Sequence, residues 1–208
     1  FGKYVKKNYM DWMSRFNSSS SPASRSLSAH QGHGAETPPD SPMLSTDIFK
    51  EKVFPAINAG EKVFLIVIDN FRWDQWKVLA QEIADQFDID ESMYMSILPT
   101  ATQYARNAIF SGLMPNKIAE MFPELWVDED EEEGKNLNEA PLIRTQIDRY
   151  RRHDKFSYHK INDSAAGDRF LQQYNDLKIN DLNVVVVNFI DMLSHARTES
   201  KMVRELAN

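Results

Sequence analysis

Two aspartates, a threonine and a histidine stand where a single site could use them. Asp69 follows the apolar run Lys62 to Ile68, and Asp191 follows the apolar run Val184 to Ile190. Thr102 comes just past a shorter stretch, Tyr94 to Leu98, by way of Pro99-Thr100-Ala101. His195 lies four residues beyond Asp191, a spacing that brings both side chains to one helix face and so to one cation. Carboxylate and hydroxyl oxygens with one imidazole suit zinc or manganese better than calcium. A threonine hydroxyl is a poor nucleophile near neutral pH and must be activated by a base or a metal. A cation on Asp69 would favour the alkoxide of Thr102. A second cation, on Asp191 and His195, would polarise a phosphoryl oxygen and steady the leaving group. The helix N-terminus after Thr102 would turn backbone N–H groups toward the anion. Each residue also has a plain role. An aspartate after a strand is often a turn former, Thr102 could cap its helix, and His195 could sit on the surface.

The elements that must hold these residues are strands and helices in alternation. Lys62 to Ile68 and Val184 to Ile190 are nearly continuous apolar runs, as strands covered on both faces should be. Tyr94 to Leu98 reads as a second short strand and residues 156–161 as a weak one. Trp76, Leu79, Ala80, Ile83, Ala84 and Phe87 recur at helical spacing, and further helices are expected from about 103, over 138–152 and 163–178, and at the end. The expected fold is α/β, a mostly parallel central sheet with helices on both faces. Functional groups in such sheets gather at the carboxyl ends of the strands, where Asp69, Thr102 and Asp191 all fall.

Residues 1–16 place Phe1, Tyr4, Val5, Tyr9, Trp12, Met13 and Phe16 on one helical face, as the last helix of an upstream bundle would. Residues 17–46 turn to serine and proline and read as a flexible linker, with His30 and His33 inside it as solvated side chains. The α/β domain is expected over 47–208. With 42% hydrophobic residues the chain can bury a sizeable core. A net charge of −7 argues against a general nucleic-acid binder, which needs a basic stripe. Six of the negative charges are consecutive, Asp128 to Glu133, and read as a solvated loop. The absence of cysteine removes disulfides, thiolate zinc sites and cysteine nucleophiles together. No signal-peptide core is present, and no apolar run approaches the roughly 18 residues of a membrane helix. A cytoplasmic protein with no membrane insertion is expected, excerpted from a longer chain.

The motifs resemble those of the alkaline phosphatase superfamily. Val67-Ile68-Asp69-Asn70-Phe71-Arg72 is similar to the first metal-binding segment of its nucleotide phosphodiesterase branch, commonly Asp-Gly-Phe-Arg. Pro99-Thr100-Ala101-Thr102, with Ser111-Gly112-Leu113 and Pro115, resembles the nucleophile segment and puts Thr102 in the nucleophile position. Asp191-Met192-Leu193-Ser194-His195 matches the Asp-x-x-x-His metal pair. More narrowly, the chain from about 47 resembles the PglZ domain, and IVIDNFRWDQW with the linker and helix before it resembles PorX-type response regulators. The resemblance implies two zinc ions, with manganese as the alternative, on Asp69, Thr102, Asp191 and His195. It implies hydrolysis of phosphodiesters in small linear or cyclic oligonucleotides. It further implies a sensor histidine kinase acting on an upstream receiver domain, homodimerisation, and secretion-system or sigma-factor partners in control of type IX secretion. Two departures stand out. Asn70 replaces the usual glycine, and Tyr104-Ala105-Arg106 stands where the branch has Pro-Asn-His. Arg106 or Asn107 could reach the phosphate, against a plainer expectation of surface helix positions. The family's later Asp-His segment and a further histidine have no counterpart before Asn208, so this stretch alone is expected to bind metal poorly and catalyse little. A catalytically silent metal- or nucleotide-sensing dimerisation module is the alternative.

Overall fold

The computed structural model describes residues 2–18, 42–127 and 137–199. The acidic run, the two linker histidines and residues 200–208 lie outside the described residues. Helix α1 (Gly2–Ser18) is followed, after the gap, by a 3-10 turn at Ser45–Asp47. A π-helical turn at Phe49–Val53 then leads into α2 (Phe54–Asn58). Strand β1 (Val63–Ile68) precedes α3 (Trp73–Ile83), α4 (Thr102–Ser111) and α5 (Pro115–Met121). The order then runs α6 (Glu139–Arg149), β2 (Phe156–Ile161), α7 (Ser164–Gln172), α8 (Tyr174–Leu177), β3 (Leu182–Val187) and α9 (Phe189–Glu199).

The three strands form one parallel sheet in the order β1-β3-β2. The most buried strand takes the middle. Leu182, Val184 and Val186 of β3 face one side, in register with Val63, Leu65 and Val67 of β1 and with Phe156, Tyr158 and Lys160 of β2. That face packs on Phe49, Phe54, Ile109, Phe110, Leu142, Ile143 and Ile147, brought by the Phe49–Asn58 turns, α4 and α6. On the opposite face α7 covers β2, with Phe170 edge-on against His159. Helices on both faces of a parallel sheet make this an α/β fold, as expected.

Two expected strands differ. Tyr94 to Leu98 pairs only through an isolated parallel bridge between Leu44 and Met95 and stays outside the sheet. Its alternation buries Ile97 while Tyr94 and Leu98 stay exposed, and it is an extended segment without a ladder. The run Val184 to Ile190 is strand only to Val187, and Phe189 already lies in α9. Apolar residues in a first helical turn look like more strand when only hydropathy is read. Leu44, Ser45 and Thr46, at the end of the serine- and proline-rich stretch, are buried.

Candidate active site

Asp69 sits one residue past β1, its amide donating to the carbonyl of Val187 at 3.0 Å, so the carboxyl ends of β1 and β3 meet there. The chain turns sharply at Asn70, whose φ of 57° is left-handed. That is the conformation glycine adopts freely and asparagine tolerates, which accounts for asparagine at the usual glycine position. The turn frees α3 to start at Trp73 and leaves the Asp69 carboxylate, 22% exposed, at the sheet edge.

Thr102 is the first residue of α4, behind an N-cap at Ala101 that makes no side-chain capping bond. Its hydroxyl does not cap the helix. Oγ1 instead lies 3.4 Å from Oδ2 of Asp69 and donates toward it. The helix N-terminus beneath it carries partial positive charge. The segment entering α4 is pinned from α1: the Leu98 amide donates to the Tyr9 hydroxyl at 2.7 Å, and Met13, one turn on, is buried.

Arg106 and Asn107 are buried rather than on the surface, for α4 lies against α6 and the core. Arg106 is 4% exposed and binds three partners. Its Nη1 donates to Oδ2 of Asp69 at 3.0 Å and to Oδ1 of Asn188 at 2.8 Å, and its Nε donates to Glu139. Glu139, wholly buried at the first position of α6, also accepts from the Tyr158 hydroxyl, and Nζ of Lys160 lies 3.5 Å from its Oε2. Burial, then the Glu139 charge, pushes the Tyr158 phenol well above its ordinary range, so it serves as a donor. Asn188 reaches on to Asn162 at 3.1 Å, joining the ends of β3 and β2. Asn107 has its side-chain oxygen buried without a hydrogen-bond partner among the described residues.

Asp191 and His195 both lie in α9, one turn apart, with Nε2 of His195 3.5 Å from Oδ2 of Asp191. The expectation of a strand ending at Asp191 is thus corrected: the aspartate stands in the first turn of α9, beyond Val187. His195 is 82% exposed.

Among the described residues, no group of three or more His, Asp or Glu side chains is gathered as a metal shell. Two pairs are present instead, Asp69 with Thr102 and Asp191 with His195. Asp69 and Asp191 follow the neighbouring strands β1 and β3, and the oxygen and imidazole donors of the two pairs fit a divalent cation as part of a shell each.

Glu139, Tyr158, Lys160 and Asn188 were not singled out from the sequence. Glu139 reads there as an ordinary acid at a helix start. Tyr158 and Lys160 share a strand face by their i, i+2 spacing, but nothing in the sequence says what that face meets. Asn188 did carry a signal, as a lone amide in an otherwise apolar run.

Comparison with curated proteins gave no match. A comparison with family models matched residues 48–208 to PglZ, described as the BREX system PglZ alkaline phosphatase-like domain. That span takes in Asp69, Thr102, Asp191 and His195, and a domain of this kind is of the phosphoester-hydrolase type. With the family's match running from the Phe49 turn through α9, the chain belongs to the PglZ family of alkaline phosphatase-like domains.

Proposed function

We propose that this domain is a metal-dependent phosphodiesterase in which Thr102 is the nucleophile. The observation that carries the proposal is the placement of Thr102, at the start of α4 with its hydroxyl turned to Asp69 and the Arg106 guanidinium on the same carboxylate oxygen. Asp69 orients the hydroxyl, and the helix N-terminus favours a phosphoryl oxyanion beside it. Oγ1 of Thr102 would form the bond to phosphorus as the bond to the leaving alcohol breaks, and water would then free the monoester from the threonine. Zinc ions, or manganese, held by Asp69 with Thr102 and by Asp191 with His195, would supply activation of the hydroxyl and polarisation of the phosphoryl group.

Small linear or cyclic oligonucleotides are the proposed substrates, and the output domain of a two-component regulator of type IX secretion is the proposed setting. Sensor kinase control, homodimerisation and secretion-system or sigma-factor partners belong to the same proposal, which rests on the resemblance of IVIDNFRWDQW and of the helix and linker before it. The alternative of a silent sensing module is favoured by one observation, that the Arg106 guanidinium already occupies the Asp69 oxygen that faces the Thr102 hydroxyl.

The test is zinc-dependent hydrolysis of bis(p-nitrophenyl) phosphate beside p-nitrophenyl phosphate by the zinc-loaded protein and its Thr102→Ala variant. Diester hydrolysis that falls by a factor on the order of 10³ or more in the variant is expected for loss of a nucleophile. Turnover unaffected by Thr102→Ala would remove the threonine from the chemistry. Bound zinc with no turnover in either protein would favour the silent sensing module.

A further inference from the structure

Glu139 is the most completely buried charged group at the site, and the chemistry proposed above does not use it. It is 0% exposed and has three cationic or hydroxyl partners: the Arg106 guanidinium, the Tyr158 hydroxyl and the Lys160 ammonium. A carboxylate is retained in such a place only with partners that offset its desolvation. Arg106 is shared. It spans from Glu139 at one end to Asp69 and Asn188 at the other, so a single guanidinium serves two carboxylates. The two charged ends differ in their surroundings. Glu139 is sealed among α4, α6 and β2, whereas Asp69 is partly open at the sheet edge.

We propose that Glu139 is a positioning and charge-setting residue for the cation site, acting through Arg106. The proposal rests on Asp69 being a cation ligand, as in the function proposed above. Holding Nε of Arg106 fixes the guanidinium so that Nη1 bridges the ends of β1 and β3, which sets the Asp69 carboxylate against Thr102. The negative charge of Glu139 also offsets the positive charge of Arg106. Asp69 is thereby left with enough net negative potential to accept a divalent cation beside a guanidinium that would otherwise repel it. Removing the Glu139 charge strengthens that repulsion, and the attraction of the site for a cation falls. Lys160 acts in the same sense as Arg106, and Tyr158 supplies a neutral donor that holds the carboxylate in place.

The experiment is zinc affinity, measured by competition with a chromogenic chelator on the whole protein, for wild type, Glu139→Gln, Tyr158→Phe and the double variant Arg106→Gln/Glu139→Gln. Glu139→Gln keeps the shape of the side chain and is expected to weaken zinc binding roughly 10- to 100-fold, the usual range for outer partners of metal ligands. Tyr158→Phe keeps every charge and is expected to bind zinc nearly as wild type does. The double variant removes one charge of each sign, and its affinity is expected to return toward wild type. It also avoids a buried uncompensated charge, so it decides the matter if Glu139→Gln does not fold. Wild-type affinity in a folded Glu139→Gln would overturn the proposal alone, as would a double variant that binds zinc no more tightly than Glu139→Gln or, where that single variant does not fold, one that binds no zinc. A wild-type protein that binds neither zinc nor manganese would overturn the cation reading of Asp69, and this proposal with it.

Discussion

At the scale of the residue, the site is a set of short-range choices about charge and backbone angle. Asn70 carries the sharpest of them. Its φ of 57° lies where a β-carbon crowds the following carbonyl, and asparagine is among the few side chains that adopt it readily. Asn70→Val is therefore expected to cost roughly 1–2 kcal/mol in urea unfolding, while Asn70→Gly stays within a few tenths of wild type. Equal losses for the two would show that the asparagine side chain, not the backbone angle, matters there. Beside it, Thr102 and Arg106 share one oxygen of Asp69, so a change at any of the three alters the other two. Effects of substitutions within this trio should not add.

Between elements, the contact of α4 with α6 does most to place the site. Gly112 ends α4 with φ of 62°, and a β-carbon there would come within 2.3 Å of the Gln146 side-chain amide. Gln146 is fully buried in α6, where its amide is suited to donate to the carbonyls of Phe110 and Ile109, so it has little room to retreat. Gly112→Ala should destabilise the fold by about 1–3 kcal/mol, from the left-handed angle and the overlap together. It should also disturb the site, since α6 begins with Glu139 and α4 with Thr102. The check is thermal unfolding alongside zinc affinity, and a variant as stable as wild type would mean that α4 and α6 can part without cost. On the other side of the site, the Tyr9 hydroxyl ties α1 to the Leu98 backbone, so the helix ahead of the serine- and proline-rich stretch reaches the segment that leads to Thr102.

Over the whole molecule, stability carries a pH dependence from the sheet face opposite the site. His159 on β2 lies half-buried against Phe170, with Nε2 2.9 Å from the Ser157 hydroxyl, and burial lowers its pKa below the ordinary value. The unfolded chain then binds the proton better than the folded one. The stability from a neutral His159 is fully present above its unfolded pKa of about 6.5 and is lost as pH falls through the lower folded value. Urea midpoints between pH 7.5 and 5 should drop more for wild type than for His159→Phe. Parallel slopes would mean that other groups set the acid sensitivity. No described helix is long and apolar enough to cross a membrane.

Much of the fold was legible because periodicity reports burial directly. The runs at 62–68 and 184–190 announced two strands, although Ile66 of β1 stays 57% exposed and so is not covered on both faces, and the weak strand at 156–161 came out as Phe156–Ile161. Asp69 and Thr102 were expected along one edge of the sheet, and their side chains do meet, although Thr102 follows an extended segment outside the sheet rather than one of its strands. The limits of the strand before Asp191 were not legible, since Phe189 and Ile190 serve a helix turn as well as a strand. Nor was the failure of Tyr94 to Leu98 to join the sheet, because pairing depends on a partner that hydropathy does not name. The tertiary structure alone decided that Arg106 turns inward to Asp69 and Glu139. A charged residue on a helix reads as solvated unless some other element brings the opposite charge into the core, and Glu139 lies too far along the chain for spacing to announce it.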